Sequence, residues 1–312
     1  MTDEPVRLRN EPETITVTPL AIDIGAEIGG VDLSRPLTDR QREEVWDAFL
    51  TWKVIFFRGQ KLDKASFVAM SRQFGALNRG HNIHQVDPDF PEIYGVVKNR
   101  HKARQTGEPV FDPWTGWHTD QTPAINPPTA SILWGEVVPP YGGDTQWTNL
   151  AAAYDALSPV VRDFVDGLRG VHAYLNYEGV KPNEAFLDRI AANQKVSEHP
   201  IVRVHPETGR RVLWVSPKFL RDIVGVTPTE SKTLLAFLKT HAVRPDFTLR
   251  FHWEPGSVAM WDNRSTAHLA PRDFQQTDFD RQLFRTTTLG DIPVGVDGQP
   301  SRSIEGTPLL AA

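Results

Sequence analysis

The chain has 312 residues, a formal net charge of -5 at pH 7 and no cysteine. Disulfides, thiolate zinc sites and cysteine nucleophiles are therefore excluded. The modest acidic balance, without blocks of Lys or Arg, argues against nucleic acid, whose phosphates require a basic surface. No segment approaches a membrane-spanning run and the first dozen residues, "MTDEPVRLRNEP", lack the apolar stretch of a secretory signal, so cytoplasmic residence and no membrane partner are expected. A chain of this length can bury a substantial core as one large domain, and its 25 prolines and 22 glycines predict many turns and long loops.

Residues 13–24, "ETITVTPLAIDI", alternate as short strands do, with Gly25, Gly29 and Gly30 as turn residues. Thr38 followed by Gln41 forms a capping-box pattern before a helix over 39–52. "KVIFFRG" at 53–59 reads as a compact apolar strand, and 63–73 as a second helix. From 78 to 115 the pattern dissolves into His, Asn, Asp, Pro and Gly, and a loop of that length in a compact domain is either disordered or functional. "ASILWGEVV" at 130–138 reads as a buried strand and "PPYGGDTQW" at 139–147 as a turn. Ser158 and Pro159 start a helix whose buried stripe would be Val161, Phe164, Val165 and Leu168. Residues 199–206 and 210–216 look like a strand pair, Thr227, Pro228 and Glu230 open a helix running to about 242, and strands are predicted over 247–253, 257–261 and 281–289. Strands at both ends with helices among them predict an antiparallel sandwich or barrel with helical decoration.

The stretch "TGWHTDQTP" at 115–123 carries the first chemical signal. On an extended chain His118 and Asp120 point to one side, because the side-chain period is two. Alone, such a pair is more often a solvated turn than a metal site. His268, after the apolar strand in "VAMWDNRSTAHLAP", supplies a third ligand type. Two histidines and a carboxylate form the facial triad of non-haem Fe(II) oxygenases, although a zinc site could draw on the same residues. In "DRQLFRTTTLGD", Arg281 and Arg285 are four apart and so share one face of a strand. Turned toward a site, two guanidinium forks would bind carboxylate, sulfonate, sulfate or phosphate; turned outward, they would balance nearby acids.

In order, "WHTD", "GGDTQW", "WDNRSTAH" and "LFRTTTLGD" resemble the TauD/TfdA family of Fe(II)- and 2-oxoglutarate-dependent dioxygenases, and the likeness extends from "IGAEIGGVDLSRPL" at 24–37 through "VIFFRGQ" to the last predicted strand. The resemblance implies a mainly β fold with inserted helices, the double-stranded β-helix or cupin-like jelly roll. It further implies a flexible tail over 1–12, a single catalytic domain over 13–312, and a substrate-loop region around 78–116. Carried over by motif, His118, Asp120 and His268 are the implied iron ligands, Thr145 and Arg281 hold the 2-oxoglutarate cosubstrate, and Arg285 meets the substrate's anion. His81 and His84 in "NRGHNIHQ" match only loosely the histidine on the substrate side of sulfonate-using members. Trp117 either lines the pocket or packs in the core. The implied reaction consumes dioxygen and releases succinate and CO2 while hydroxylating or cleaving a small organic anion, with an alkyl sulfate or sulfonate as the first class. An aryloxyalkanoate, an amino-acid-like biosynthetic substrate, a zinc hydrolase, and a metal-containing jelly-roll binding protein without activity are the alternatives. The family permits a homodimer or homotetramer.

Overall fold

The structure, a computed structural model, describes residue 8 and residues 11–80, 86–98, 116–174, 184–271 and 278–312. Strands β1 (Thr16–Pro19) and β2 (Ala26–Gly29) form an antiparallel pair closed through Gly25, whose φ of 84° is accessible without strain only to glycine. Helix α1 (Asp39–Trp52) starts at the expected capping box, with Thr38 and Gln41 bonding each other's backbone N–H, and buries Val45, Ala48 and Phe49. β3 (Val54–Phe57) and α2 (Lys64–Arg72) follow, the latter capped by Asp63. β4 (Tyr94–Lys98) lies inside the stretch expected to be loop, and β5 (Ala130–Val137) matches its prediction.

The stretch 139–147 is only partly a turn: its last three residues already belong to β6 (Thr145–Asn149), which runs into α3 (Leu150–Asp155). Helix α4 (Pro159–Val165) has the expected Ser158 cap and leading proline but only seven residues. That length is too short for the predicted stripe, so Val165 is buried while Phe164 is half exposed and Leu168 lies beyond the helix end. Next come β7 (Arg169–Ala173), α5 (Glu184–Ala192), β8 (Val196–Pro200), β9 (Val202–Val204), β10 (Arg211–Leu213), β11 (Leu220–Ile223) and α6 (Pro228–Ala242). The chain closes with β12 (Thr248–Phe251), β13 (Val258–Asp262), β14 (Thr266–Leu269), β15 (Arg281–Thr287) and β16 (Arg302–Glu305). The C-terminal tail is tied down, since Leu309 exchanges hydrogen bonds with the Asn126 side chain and the Ala312 amide donates to the Leu77 carbonyl.

The described strands form a seven-stranded sheet in the order β1-β2-β3-β13-β5-β15-β4, a three-stranded sheet β12-β6-β14, a four-stranded sheet β11-β7-β8-β16, and the pair β10-β9. Alternation along the central strands of the large sheet decides what each face covers. Ile55, Ile132, Trp134, Met260 and Phe284 pack with α1 and α2. Phe56, Leu133, Trp261 and Leu283 point the other way and close a second core with Trp147 and Phe251 of the small sheet. The two sheets are thus layers of a sandwich, as the strand-rich expectation requires. A third core, including Trp214, Val215, Leu235 and Ala267, fills the space between α3, α6 and the outer side of β14. Among the described residues no helix is long and apolar enough to cross a membrane.

Candidate metal centre

His118 and His268, 150 positions apart, are joined as a directly opposed backbone pair. The His118 amide donates to the His268 carbonyl at 2.9 Å and the His268 amide returns the bond at 2.7 Å. Opposed residues on antiparallel chains send their side chains to the same face, and the two imidazole centroids lie 4.2 Å apart. β14 sets that face inward, because its register puts His268 opposite Trp147, which is fully buried between the sheets. Alternation then brings Asp120 to the side of His118, while Thr119 points away and its Oγ1 donates to the Thr266 carbonyl at 2.7 Å. Trp117 also points away from the histidines and packs on the core cluster around Leu150 and Trp214. The chain enters this short extended piece through Gly116 (φ 67°) and leaves it through Gln121, a non-glycine residue held at φ 46°. Such left-handed residues persist only where their surroundings fix them, and they concentrate at functional sites.

The ligand atoms converge. His118 Nε2 is 3.6 Å and His268 Nε2 3.7 Å from Asp120 Oδ1. Those separations are too long for hydrogen bonds, yet two bonds of roughly 2.1 Å to one ion span them. Burial pushes the His118 imidazole down to about 4 and His268 well below its ordinary value, so both rings present lone pairs rather than protons. The Gly116 carbonyl, at 2.8 Å, can only accept, so it fixes the proton on His118 Nδ1 and leaves Nε2 free to coordinate. His268 Nδ1 has no hydrogen-bond partner among the described residues; its ring is held by the backbone pair and by Trp261, whose centroid is 4.9 Å away. Two neutral imidazoles and a carboxylate within 4.8 Å of one another match a divalent metal in donor type and spacing.

Behind Asp120 lies a polar layer whose central member, Ser131, the sequence did not flag. Ser131, fully buried on β5, donates from Oγ to Asp120 Oδ2 at 2.7 Å. Asn263 Nδ2 and Arg285 Nη2 each donate to that same hydroxyl at 2.8 Å, and Arg285 also contacts Asp120 Oδ2. The Arg285 guanidinium lies over Trp261 at 4.8 Å and near Tyr94 at 5.5 Å. Beneath the β13–β14 turn, Asp262 accepts from Arg264 and from His205 Nε2. Burial alone would raise the Asp262 carboxyl, but Arg264 and then His205 hold it well below the usual carboxylate range. This buried charge cluster fixes the turn that presents Asn263 to the metal side.

Arg281 and Arg285 share the parity of Leu283 on β15 and are both buried on the inward face, so the outward reading of the pair is wrong. Four residues of strand separate them by roughly 13 Å along the backbone. Arg281 lies against Gly143, where a Cβ would stand 3.3 Å from its Nε. Thr145 faces inward two residues further on and its hydroxyl accepts from Trp253 Nε1 at 3.0 Å. The preceding Asp144 pairs with Arg250 and His252 of the β12 side and anchors the "GGDT" turn. Of the other candidates, His81 and His84 lie outside the described residues. Trp134 and Trp147 are core residues, whereas Trp261, inside the quoted "WDNRSTAH" run, is the indole beside the metal ligands.

Residues 16–287 match the family described as taurine catabolism dioxygenase TauD, TfdA family. An alpha-ketoglutarate-dependent sulfate ester dioxygenase from Pseudomonas putida is 38% identical, with 93% of this chain and 94% of that protein covered. An alkylsulfatase from Acinetobacter baylyi is 33% identical over 93% of this chain and 90% of its own length. Among solved structures, a taurine dioxygenase from Burkholderia xenovorans superposes with a TM-score of 0.82 at 53% identity, covering 95% of this chain and 96% of that one. With matches of this extent, the chain belongs to the TauD/TfdA family of alpha-ketoglutarate-dependent dioxygenases.

Proposed function

We propose that the protein uses Fe(II) and 2-oxoglutarate to oxidise a small organic anion bearing a sulfate ester or sulfonate. The observation that carries the substrate class is Arg285, a guanidinium buried against the carboxylate of the candidate metal site. Asp120 and Ser131 take one arm of this guanidinium, and the rest of its fork suits a sulfate or sulfonate oxygen pair beside the reacting centre. The relatives named for sulfate ester oxidation and alkylsulfatase activity support the same class.

In this reading His118, Asp120 and His268 hold the metal, and Thr145 and Arg281 hold the far carboxylate of 2-oxoglutarate. With dioxygen, the bound metal and cosubstrate supply oxidative decarboxylation to succinate and CO2 coupled to oxidation of a substrate C–H bond. The chain's own part is placement. Asp120 turns Oδ1 to the histidines while Oδ2 faces Ser131 and Arg285, so one carboxylate oxygen would be offered to a bound metal. Arg281 and Arg285 keep the two anions apart on one strand face, with apolar Leu283 between them. Hydroxylation at the carbon bearing a sulfate ester gives a product that collapses to an aldehyde and inorganic sulfate. The double-stranded β-helix description of the sandwich, a single catalytic domain over 13–312, and cytoplasmic residence belong to this proposal as well.

A panel of alkyl sulfates, alkyl sulfonates and aryloxyacetates, incubated with Fe(II) and 2-oxoglutarate and assayed for succinate with sulfate or sulfite, tests the substrate class. Sulfate or sulfite released in step with succinate is expected. Turnover confined to the aryloxyacetates would favour the second reading. That reading is supported by a 2,4-dichlorophenoxyacetate dioxygenase from Cupriavidus pinatubonensis, 30% identical over 90% of this chain and all of that protein.

A further inference from the structure

We infer that Ser131 is a positioning residue that joins the metal-binding carboxylate to the anion-binding arginine, so that metal geometry and substrate affinity depend on one hydroxyl. The inference rests on the roles proposed above for Asp120 and Arg285.

Ser131 sits on β5 with Trp261 of β13 opposite it on one side and Thr287 of β15 on the other. It has the inward parity of Leu133, and no part of its side chain reaches solvent. In such a place a serine that only filled space would be replaceable by alanine, and a buried hydroxyl without partners would be unfavourable. Here its capacity is fully used. A hydroxyl carries one hydrogen and two lone pairs. The guanidinium of Arg285 can only donate. The Asn263 amide is oriented the same way, because its Oδ1 receives the Asp120 N–H at 3.4 Å and its Nδ2 therefore faces Ser131. Both lone pairs of Oγ are thus taken by Asn263 and Arg285, and the single hydrogen must go to Asp120 Oδ2.

Two consequences follow from that fixed direction. Asp120 Oδ2 is held away from the histidines by the hydroxyl and by Arg285, and Oδ1 alone faces the two Nε2 atoms. Without the hydroxyl Oδ2 keeps only Arg285, and the less constrained carboxylate no longer presents Oδ1 to the histidines in a fixed direction. The same hydroxyl holds one arm of Arg285, whose Nε has no hydrogen-bond partner among the described residues and remains available to an anion. Losing the hydroxyl leaves that arm to Asp120 alone and moves the guanidinium from the position that receives the substrate. Arg281, on the far side of Leu283, takes no part in this arrangement.

The test uses the whole protein with Mn(II), which allows binding to be read without turnover, and compares wild type with Ser131→Ala and Ser131→Cys. Cysteine fills the site without leaving a cavity but donates weakly, so it separates loss of the hydrogen bond from loss of packing. Thermal melting establishes that each variant is folded. Mn(II) affinity, followed by the electron paramagnetic resonance of the free ion, is expected to fall about tenfold or more in Ser131→Ala, the usual consequence of losing a hydrogen bond that orients a metal ligand. Ser131→Cys should fall between the alanine variant and wild type. In the Mn(II) complexes, calorimetry with hexyl sulfate should show weaker binding in the same order. Mn(II) affinity in Ser131→Ala equal to wild type overturns the inference, as does a cysteine variant indistinguishable from wild type in both titrations. If wild type itself binds no Mn(II), the metal-site reading fails and the inference falls with it. If wild type binds Mn(II) but no hexyl sulfate, only the substrate class fails, and the Mn(II) comparison still decides the role of Ser131.

Discussion

At the scale of single residues, the site separates charges that must be satisfied within the fold from those reserved for small molecules. Asp262 and Arg264 belong to the first kind. Both are buried, and they are tied to His205 and Glu207. Removing one member of such a cluster strands a charge, so Arg264→Met should destabilise the protein by about 3–5 kcal/mol, measurable by urea unfolding; a loss within experimental error would show that the cluster is not holding the turn. In the proposed function Arg281 meets the far carboxylate of 2-oxoglutarate. Arg281→Ala should weaken 2-oxoglutarate binding about tenfold or more, as expected for losing a charge-assisted hydrogen bond, and leave Mn(II) affinity unchanged. Equal 2-oxoglutarate titrations in the variant and wild type would reassign the cosubstrate's grip. The ligand triad and the two arginines were legible in the sequence because their residue types and spacings carry chemistry. Ser131 was not. A serine in "ASILWGEVV" reads as filler in an apolar strand, and only the fold reveals that Asp120, Asn263 and Arg285 converge on it.

At the scale of elements, local signals predicted the helices best. The caps at Thr38, Ser158 and Thr227 are all present, because a cap is a contact between residues three positions apart. Elements that depend on distant partners were less visible. β14 has only four residues, too few to show alternation, and it exists because β6 pairs with it. β4 and β7 likewise became strands through neighbours far away in the chain, β15 and β8 respectively. β14 matters most to the site, since its register with Trp147 turns His268 inward. Trp147→Ala should therefore cost about 3–5 kcal/mol as a large buried side chain is deleted. It should also weaken Mn(II) binding although the tryptophan is not a ligand. Full metal affinity in a folded Trp147→Ala protein would show that the register of β14 does not depend on this packing.

At the scale of the whole molecule, four buried histidines make stability depend on pH. Burial holds His118 at about 4 and His199 at about 3, and depresses His172 and His268 well below the ordinary value of 6.5. Below pH 6.5 the unfolded chain takes up protons that the folded one refuses. Stability is therefore fully present above that value and declines as pH falls toward 4 and then 3. Each such group contributes about 1.4 kcal/mol per pH unit within its window, so the metal-free protein should have a clearly lower urea midpoint at pH 5.5 than at pH 7.5; equal midpoints would mean that these rings are not held neutral. The same neutrality readies the site for a metal, which needs lone pairs from both imidazoles. The central claim is that His118, Asp120 and His268 together hold one ion that 2-oxoglutarate can chelate. Anaerobic titration of Fe(II) into the protein with 2-oxoglutarate, followed by the charge-transfer absorption of the chelated keto acid, tests it most directly. The band should saturate at one iron per chain and be absent in His268→Ala; no band in wild type, or an undiminished one in the variant, would contradict the account.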